Sequence, residues 1–479
     1  MIAARLAPGP TGPRWLQAGL TVALLGWLPL LWSVLCTAAS PGVPWNAARL
    51  APSFALAYGL PVYALRDSGA QLGWFYGPAF PLWNLPATLT SNPTLAVWIA
   101  GGWNVLTWLV PVALVLRAAG VVRGVRVAAA AVFAGVLLLG NSVTNYGFYF
   151  IHVDGLCLAA GLAAVLGVHQ AGQTGRARWL HLAAAGLVVA VWTKQIAVGL
   201  APAMFWHLWR EGRWSLAWPL FFRGVVYAAG TTVAVFHWFG APEVLHNLWL
   251  VHSRNPWRGG LDLLGSELFR LFRSSVVWWP LAGFTLWVWR GPGRRPLPPA
   301  AGGLVRLLIR VAWWQLPLGL IALLKAGGGL NSLHPVHYLM LALLIAAYHA
   351  ADHPLAPAAA RVAAALWLAA VLVPLGNATR FALGPGSYWR ITHRQEELVA
   401  QARAQPGRYY YPWNPLVTLI AERKIQPLDD ALYCLWLAGL DPSAEKIRAA
   451  VPARPIIVYE EPAQSHFALR YFPATKPAP

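Results

Sequence analysis

Asp154 is the carboxylate in this 479-residue chain whose setting most invites a chemical reading. It stands in NYGFYFIHVDGLCLAAG, one residue inside an apolar run and two after His152. A carboxylate at that depth is costly unless it has a partner or a task, which makes it a candidate base for an acceptor hydroxyl. An Asp opening a helix also caps free backbone N–H groups at the positive end of the dipole, and spacing alone leaves both readings open. Asp67, in YALRDSGAQLGWFYGPAF, is the second candidate; its plainer alternative is a turn residue or a surface pair with Arg66. Lys194 and Lys325 are two of only five lysines, and each ends an apolar run. An ammonium there can hold a phosphate leaving group or a lipid head group, or simply snorkel to the interface. Thr193 and Gln195 flank Lys194, while Lys325 leads into the glycine run AGGGLNSLHPVHY, which contains Asn331. His334 and His337 have a spacing that metal ligands use, but no third ligand is evident, so they read as core or interfacial histidines. Arg254 and Arg258 in VHSRNPWRGG are candidate phosphate contacts, with solvation or lipid binding as the alternative.

These residues must be positioned by membrane helices. Hydrophobic residues make up 58% of the chain and charged ones 11%, with a mean hydropathy of +0.51, which excludes an ordinary soluble domain. A span needs about 20 apolar residues, and about eleven such runs are present. They lie near Trp15–Cys36, Thr94–Leu116, Arg126–Thr144, Val153–His169, Trp179–Trp192, Ile196–Trp209, Leu216–Phe239, Ser275–Trp289, Leu304–Leu324, Leu333–Ala350 and Ala358–Leu375. Arginines crowd alternate loops, so the net charge of +20 is an orientation signal and not a nucleic-acid face. With Met1 inside, only Glu211 and Asp352 of the 16 acids fall on the inner side. The stretch from Trp179 to Trp209 has arginine pairs at both ends, which predicts a hairpin with Thr193, Lys194 and Gln195 at its outer tip. Every acid or base singled out above then faces outward.

Two outer loops are long, 37–93 and 240–274, and the second contains LDLLGSELFRLF, an amphipathic helix expected to rest on the membrane surface. Beyond Leu375 the composition turns charged and mixed. The expected architecture is a mainly α, polytopic bundle over residues 1–376 with both termini on opposite sides, followed by a small outward α/β domain over 377–479. Cys36, Cys157 and Cys434 form no metal or disulfide pattern, and no phosphate-binding glycine loop, dinucleotide fingerprint or nucleophile motif is present.

Four stretches taken in order resemble the GT-C superfamily of polytopic glycosyltransferases, within it the bacterial branch related to protein O-mannosyltransferases and the aminoarabinose transferases of lipid A. They are LAYGLPVYALRD…GWFYGPAFPLWNLPA, HVDGLCLAAGLAAVL, VWTKQIAVGLAPAMFWHLW and GGGLNSLHPVHYLMLA, covering roughly Trp15 to Leu375. The resemblance implies an inverting transferase in a bacterial inner membrane, its site facing the periplasm or exterior. The donor would be a polyprenyl-phosphate sugar, and the acceptor a glycan, lipid or protein on the outer face. No nucleic acid and no cofactor are expected, and a divalent metal finds no evident site. Asp154 or Asp67 would be the base and Lys194 the phosphate contact. His152, Gln195, Asn331, Tyr76, Lys325 and Arg254 would hold the sugar or its phosphate. One departure stands out: the family's early acid in the first outer loop is absent from TAASPGVPWNAARLAP. That favours, as a rival, a relative that only binds the carrier. A transporter is the other rival, and would show inverted repeats and acids at mid-membrane, neither of which the sequence offers. In the tail, YYYPWNPLVTLIAERK reads as a surface for the acceptor.

Overall fold

The computed structural model describes residues 45–65, 67–121, 151–276, 278–290, 296–351, 387–459 and 466–472. The expected spans at Trp15–Cys36, Arg126–Thr144 and Ala358–Leu375 lie outside them. The first helix among the described residues, α1 (Asn46–Ala57), belongs to the segment expected as the first outer loop. The bundle comprises α2 (Pro93–Ala118), α3 (Val153–Thr174), α4 (Trp179–Thr193), α5 (Leu200–Arg210), α6 (Trp214–Phe239), α7 (Leu261–Ser274), α8 (Trp278–Arg290), α9 (Pro299–Leu324) and α10 (Pro335–Ala351). Among the described helices, α2, α3, α6 and α9 are long and apolar enough to cross a membrane; α4 and α10 are apolar but shorter.

The helix boundaries follow local chemistry. Helix α2 opens on Asn92, whose side chain accepts from the Leu95 N–H at 3.0 Å, with Pro93 in the first turn where its missing N–H costs nothing. Helix α4 stops at Lys194, whose backbone is extended (φ −149°, ψ 120°). The chain then turns back. His181 and Trp192 of α4 meet Tyr227 and Thr231 of α6 in the same order, while Phe205 of α5 packs on Trp218 and Phe221 near the start of α6. Helix α4 therefore runs with α6 and α5 against it, the hairpin geometry expected from the flanking arginines.

Helices α3 and α4 pack almost backbone to backbone. A Cβ on Gly186 would lie 2.6 Å from the Ala160 carbonyl oxygen, and the contact continues through Ala164, Gly167 and Ala183. Small residues at such interfaces let dispersion contacts accumulate where no hydrophobic effect separates helix from lipid. Helix α6 lies at the other extreme, with Phe222, Val226, Val233 and Trp238 all at least 60% exposed, a face suited to lipid. Helix α7 buries none of its residues, although Leu264 and Leu271 touch the body at Leu323 and Leu330.

The tail contains α11 (Ser387–Ala404), α12 (Pro415–Glu422), α13 (Asp429–Leu437) and α14 (Ala444–Ala449). A short parallel pair, β1 (Tyr409–Tyr410) with β2 (Ile456–Ile457), lies where RYYYP and PIIVYEE predicted strands. The acceptor reading of YYYPW is overturned. Tyr409, Tyr410, Tyr411 and Trp413 are all buried, because alternating strand faces here pack both against the tail and against the outer loop. Leu398, Val399, Leu416 and Val417 share one core with Leu50, Phe54 and Trp74 of the outer loop. Asp429 pins the far end of the tail: its Oδ2 accepts from the Ala468 N–H at 2.7 Å.

Two pairs of substitutions test these contacts. A Cβ on Gly77 would fall inside the Trp192 carbonyl, so Gly77→Ala should cost about 2 kcal/mol or more, seen as a lower unfolding temperature in detergent. Gly102→Ala, in open space on α2, should shift stability the other way by about 0.5–1 kcal/mol. Asp429→Ala strands a buried N–H and should destabilise by about 1–3 kcal/mol, whereas Asp441→Ala, on the surface, should stay within about 0.5 kcal/mol.

Candidate functional site

The sequence brings His152 to the threshold of α3 in an extended conformation (φ −147°, ψ 149°), and the helix that follows places Asp154 in its first turn. The Asp154 carboxylate is 1% exposed and is met from four directions. Lys194 Nζ donates to Oδ1 at 2.7 Å, and His334 Nε2 donates to the same oxygen at 2.9 Å. His152 Nδ1 lies 2.8 Å from Oδ2, and Asn331 Nδ2 donates to Oδ2 at 3.0 Å. A carboxylate offers about four lone-pair sites, and all four are taken. To donate here His334 must carry its proton at Nε2 and His152 at Nδ1, the nitrogen that lies 2.8 Å from Oδ2 and, at the longer distance of 3.4 Å, also faces the Asp154 N–H. Burial pushes the His152 pKa down to about 4, against the pull of Asp154, so this ring donates as a neutral group at pH 7. Lys194 also donates to the Asn331 carbonyl at 3.4 Å, closing the ring between the hairpin tip and the turn before α10. With an ammonium already bonded to Oδ1, this is a poor seat for a cation. Among the described residues no group of three or more His, Cys, Asp or Glu side chains is placed to hold a metal ion.

The Tyr-Gly-Pro segment of the outer loop is tied to the same tip. Gln195 Nε2 donates to the Phe75 carbonyl at 3.0 Å, and His252 Nε2 reaches it at 2.8 Å. Tyr63 donates its hydroxyl to the Tyr76 carbonyl at 2.8 Å. The Tyr76 ring then lies edge-on to His152, with centroids 6.4 Å apart, and the Arg49 guanidinium sits over it at 4.9 Å. Asn46 joins from the same helix as Arg49: its Oδ1 accepts from the Ile151 N–H at 2.9 Å. Further round, Lys325 donates to the His252 and Ser253 carbonyls at 3.0 and 2.9 Å and stands over Trp257 at 5.4 Å. Arg258 holds that segment to the Gly328 carbonyl at 2.7 Å.

The structure thus bonds Asp154, Lys194, His152 and Asn331 together and sets Tyr76 and Gln195 beside them. Lys325 is one segment away, spent on backbone carbonyls. Arg254 is exposed on that segment. Asp67 is elsewhere, 83% exposed with its oxygen 3.4 Å from Lys446 Nζ of the tail. Two participants escaped the sequence reading. His334 was legible only as half of a histidine pair, and Arg49 was not singled out. The signal available for His334 was its place three residues after Asn331 at the head of α10. For Arg49 nothing in the local pattern pointed inward.

No family model matches the chain, and no curated protein matches its sequence. Solved structures do. The structure of ArnT from Cupriavidus metallidurans bound to undecaprenyl phosphate superposes with a TM-score of 0.51 at 17% identity, over 94% of this chain and 86% of that one. The apo structure of the same ArnT gives a TM-score of 0.49 at 17% identity, over 88% of this chain and 90% of that one. At this identity the likeness speaks for the fold alone: the chain shares the fold of ArnT.

Proposed function

We propose that this protein is a membrane glycosyltransferase that takes a sugar from a polyprenyl-phosphate carrier and transfers it, with inversion, to an acceptor on the outer face. The observation that carries this reading is the position of Lys194. Its ammonium is buried at the break between α4 and α5, and an apolar groove of about 730 Å³ opens between α4, α5 and α6 beside that break. Val191, Trp192 and Val198, which bracket Lys194 in sequence, line the groove together with Phe205, Phe221 and Val225. An apolar groove whose lining flanks a fixed cation in sequence suits an amphiphile with an anionic head and a prenyl chain. Two of the three ammonium N–H groups go to Asp154 and Asn331, which leaves one for a phosphate oxygen. The likeness to an ArnT that binds undecaprenyl phosphate supports the same class of ligand.

In this reading Asp154 fixes the direction of Lys194 and Asn331, while Tyr76, Gln195 and His152 shape the space beside the departing phosphate. As the bond from the anomeric carbon to the phosphate oxygen breaks, negative charge grows on the phosphate, and a preset ammonium stabilises it without reorganising. A carrier-binding protein without transferase activity is the second reading. The saturation of Asp154 favours it, since a carboxylate with four donors has little basicity left.

Native mass spectrometry of the protein drawn gently from its host's membranes tests the reading. A bound polyprenyl-phosphate sugar, its occupancy reduced tenfold or more by Val191→Trp in the groove, is the expected result. Retention of bulk phospholipid alone rejects it. The Asp154–Lys194 pair makes a second prediction. Lys194→Met leaves a buried carboxylate without its counter-ion and should cost about 3–5 kcal/mol. Asp154→Asn combined with Lys194→Met should cost clearly less than the sum of the two single changes, measured by thermal unfolding in detergent.

A further inference from the structure

We infer that Arg223 and Tyr227 of α6, held in place by His181 of α4, bind the head group of one anionic phospholipid. The inference stands apart from the transferase reading and concerns the end of the bundle away from Asp154. His181 lies in the first turn of α4, where Nε2 accepts from Arg223 Nε at 3.2 Å and Nδ1 lies 2.8 Å from the Tyr227 hydroxyl. The first bond decides the second. A guanidinium can only donate, so Nε2 is bare and the neutral ring carries its proton at Nδ1. Nδ1 then donates to the Tyr227 oxygen, and the phenol proton is left for another acceptor. The chain of bonds therefore ends in donors on both sides. They are the Nη1 and Nη2 N–H groups of Arg223 and the O–H of Tyr227, one helical turn further along the same face.

These donors meet no anion from the protein. Arg223 is the only Asp, Glu, Lys or Arg of α6, and α4 has none. Among the described residues Arg223 has no ion pair, and Glu211, at the same end of the bundle, is taken by Arg306 and Arg310. The surroundings are apolar: Leu182, Phe222 and Val226, the chain neighbours of His181, Arg223 and Tyr227, are all exposed. A cation on such a face is costly unless water or an anion reaches it. Trp209 and Trp214, both exposed with ring centroids 5.0 Å apart, mark this end as the membrane interface, where lipid phosphates lie. An arginine that only snorkels turns its whole head to water. Arg223 instead has its Nε held back on a histidine, which presents the planar fork in one fixed direction.

A lipid phosphodiester supplies what the donors need. Its non-bridging oxygens accept as a pair from a guanidinium and leave a lone pair for the Tyr227 O–H. Zwitterionic lipids carry their own ammonium beside the phosphate, so an uncompensated head group, as in phosphatidylglycerol, gains more from Arg223. Arg178, whose carbonyl accepts from the His181 N–H at 3.2 Å, is exposed and adds a second cation on that side. The acyl chains would lie along Phe222 and Val226. This place is distinct from the carrier groove, which is lined by other side chains: Val188 and Val191 of α4, with Phe221, Gly224 and Val225 of α6. A bound lipid would tie α4 to α6 and so brace two walls of that groove.

The test is a lipid titration of the delipidated full-length protein in detergent, read by native mass spectrometry, with dioleoyl phosphatidylglycerol against dioleoyl phosphatidylcholine. The wild type should take one phosphatidylglycerol about tenfold more tightly than phosphatidylcholine. Arg223→Gln should abolish that preference and Tyr227→Phe should lower it about threefold. Arg290→Gln, at an exposed arginine on α8, should leave it unchanged. Phosphatidylglycerol should also raise the unfolding temperature of the wild type and not that of Arg223→Gln. An equal rise in both marks Arg223 as a structural residue and overturns the inference. Equal affinity of the wild type for the two lipids overturns it, as does a stabilisation reproduced by inorganic phosphate alone. Should Arg223→Gln unfold, Tyr227→Phe decides, and an unchanged preference there overturns it. Val191→Trp keeps the two sites apart. Phosphatidylglycerol binding that survives it supports a separate site, whereas binding lost together with the carrier means that the lipid had entered the groove, and overturns the inference.

Discussion

One buried carboxylate holds one end of this bundle together. Asp154 draws in the hairpin tip through Lys194, the turn before α10 through Asn331 and His334, and its own helix start through His152. Each of these segments breaks regular helix to reach it. Lys194 sits in extended backbone, Asn331 in a short 3-10 turn, and His152 in extended backbone before α3. A desolvated charge is tolerated only when its lone pairs are met, so the position of every donor is fixed together. Without the carboxylate, the ammonium and two imidazoles would be drawn toward water, and the outer loop would lose the tip on which it docks. Asp154 is for this reason better understood as the anchor of the site than as its base.

Close packing delivers the precision that the anchor needs. The approach of α3 to α4 at Ala160, Ala164 and Gly186 fixes the height of Lys194 relative to Asp154, because Asp154 lies in the first turn of α3 and Lys194 just past the last turn of α4. Gly77 then seats the outer loop on the last turn of α4, and Gln195 and His252 clamp Phe75 from two sides. Tyr76 reaches its place beside His152 as a consequence of backbone contacts, and no bond from its hydroxyl is required. The groove between α4, α5 and α6 follows from the same break. Where α4 ends and α5 turns back, the two helices diverge along α6, and apolar side chains line the space between them.

Much of this was legible in the sequence, for identifiable reasons. Hydropathy located α2, α3, α4, α6, α9 and α10 to within a few residues, since a span is a long composition signal. Charge settled the turn at Lys194, because arginines at both ends of Trp179–Trp209 could share one side only if the chain doubled back. Asp154 was visible through its depth. Its saturation was not, since its partners lie 40, 177 and 180 residues away and a single sequence carries no record of that meeting. The tail was misread at its aromatics for a related reason. Strand-like tyrosines can face out or in, and only the presence of α1 and the outer loop on the other side of β1 decides that Tyr409 and Tyr411 are core.

That shared core bears on how the protein can work. Leu398, Val417 and Leu419 of the tail pack with Leu50, Phe54 and Trp74 of the outer loop, and α13 packs on Phe75, so the tail and the loop fold as one layer above the bundle. A layer of this kind encloses the site from outside while the bundle encloses it from within. Within it, Asp154 holds a lysine, two histidines and an amide in place, so its negative charge is fully engaged where the two enclosures meet.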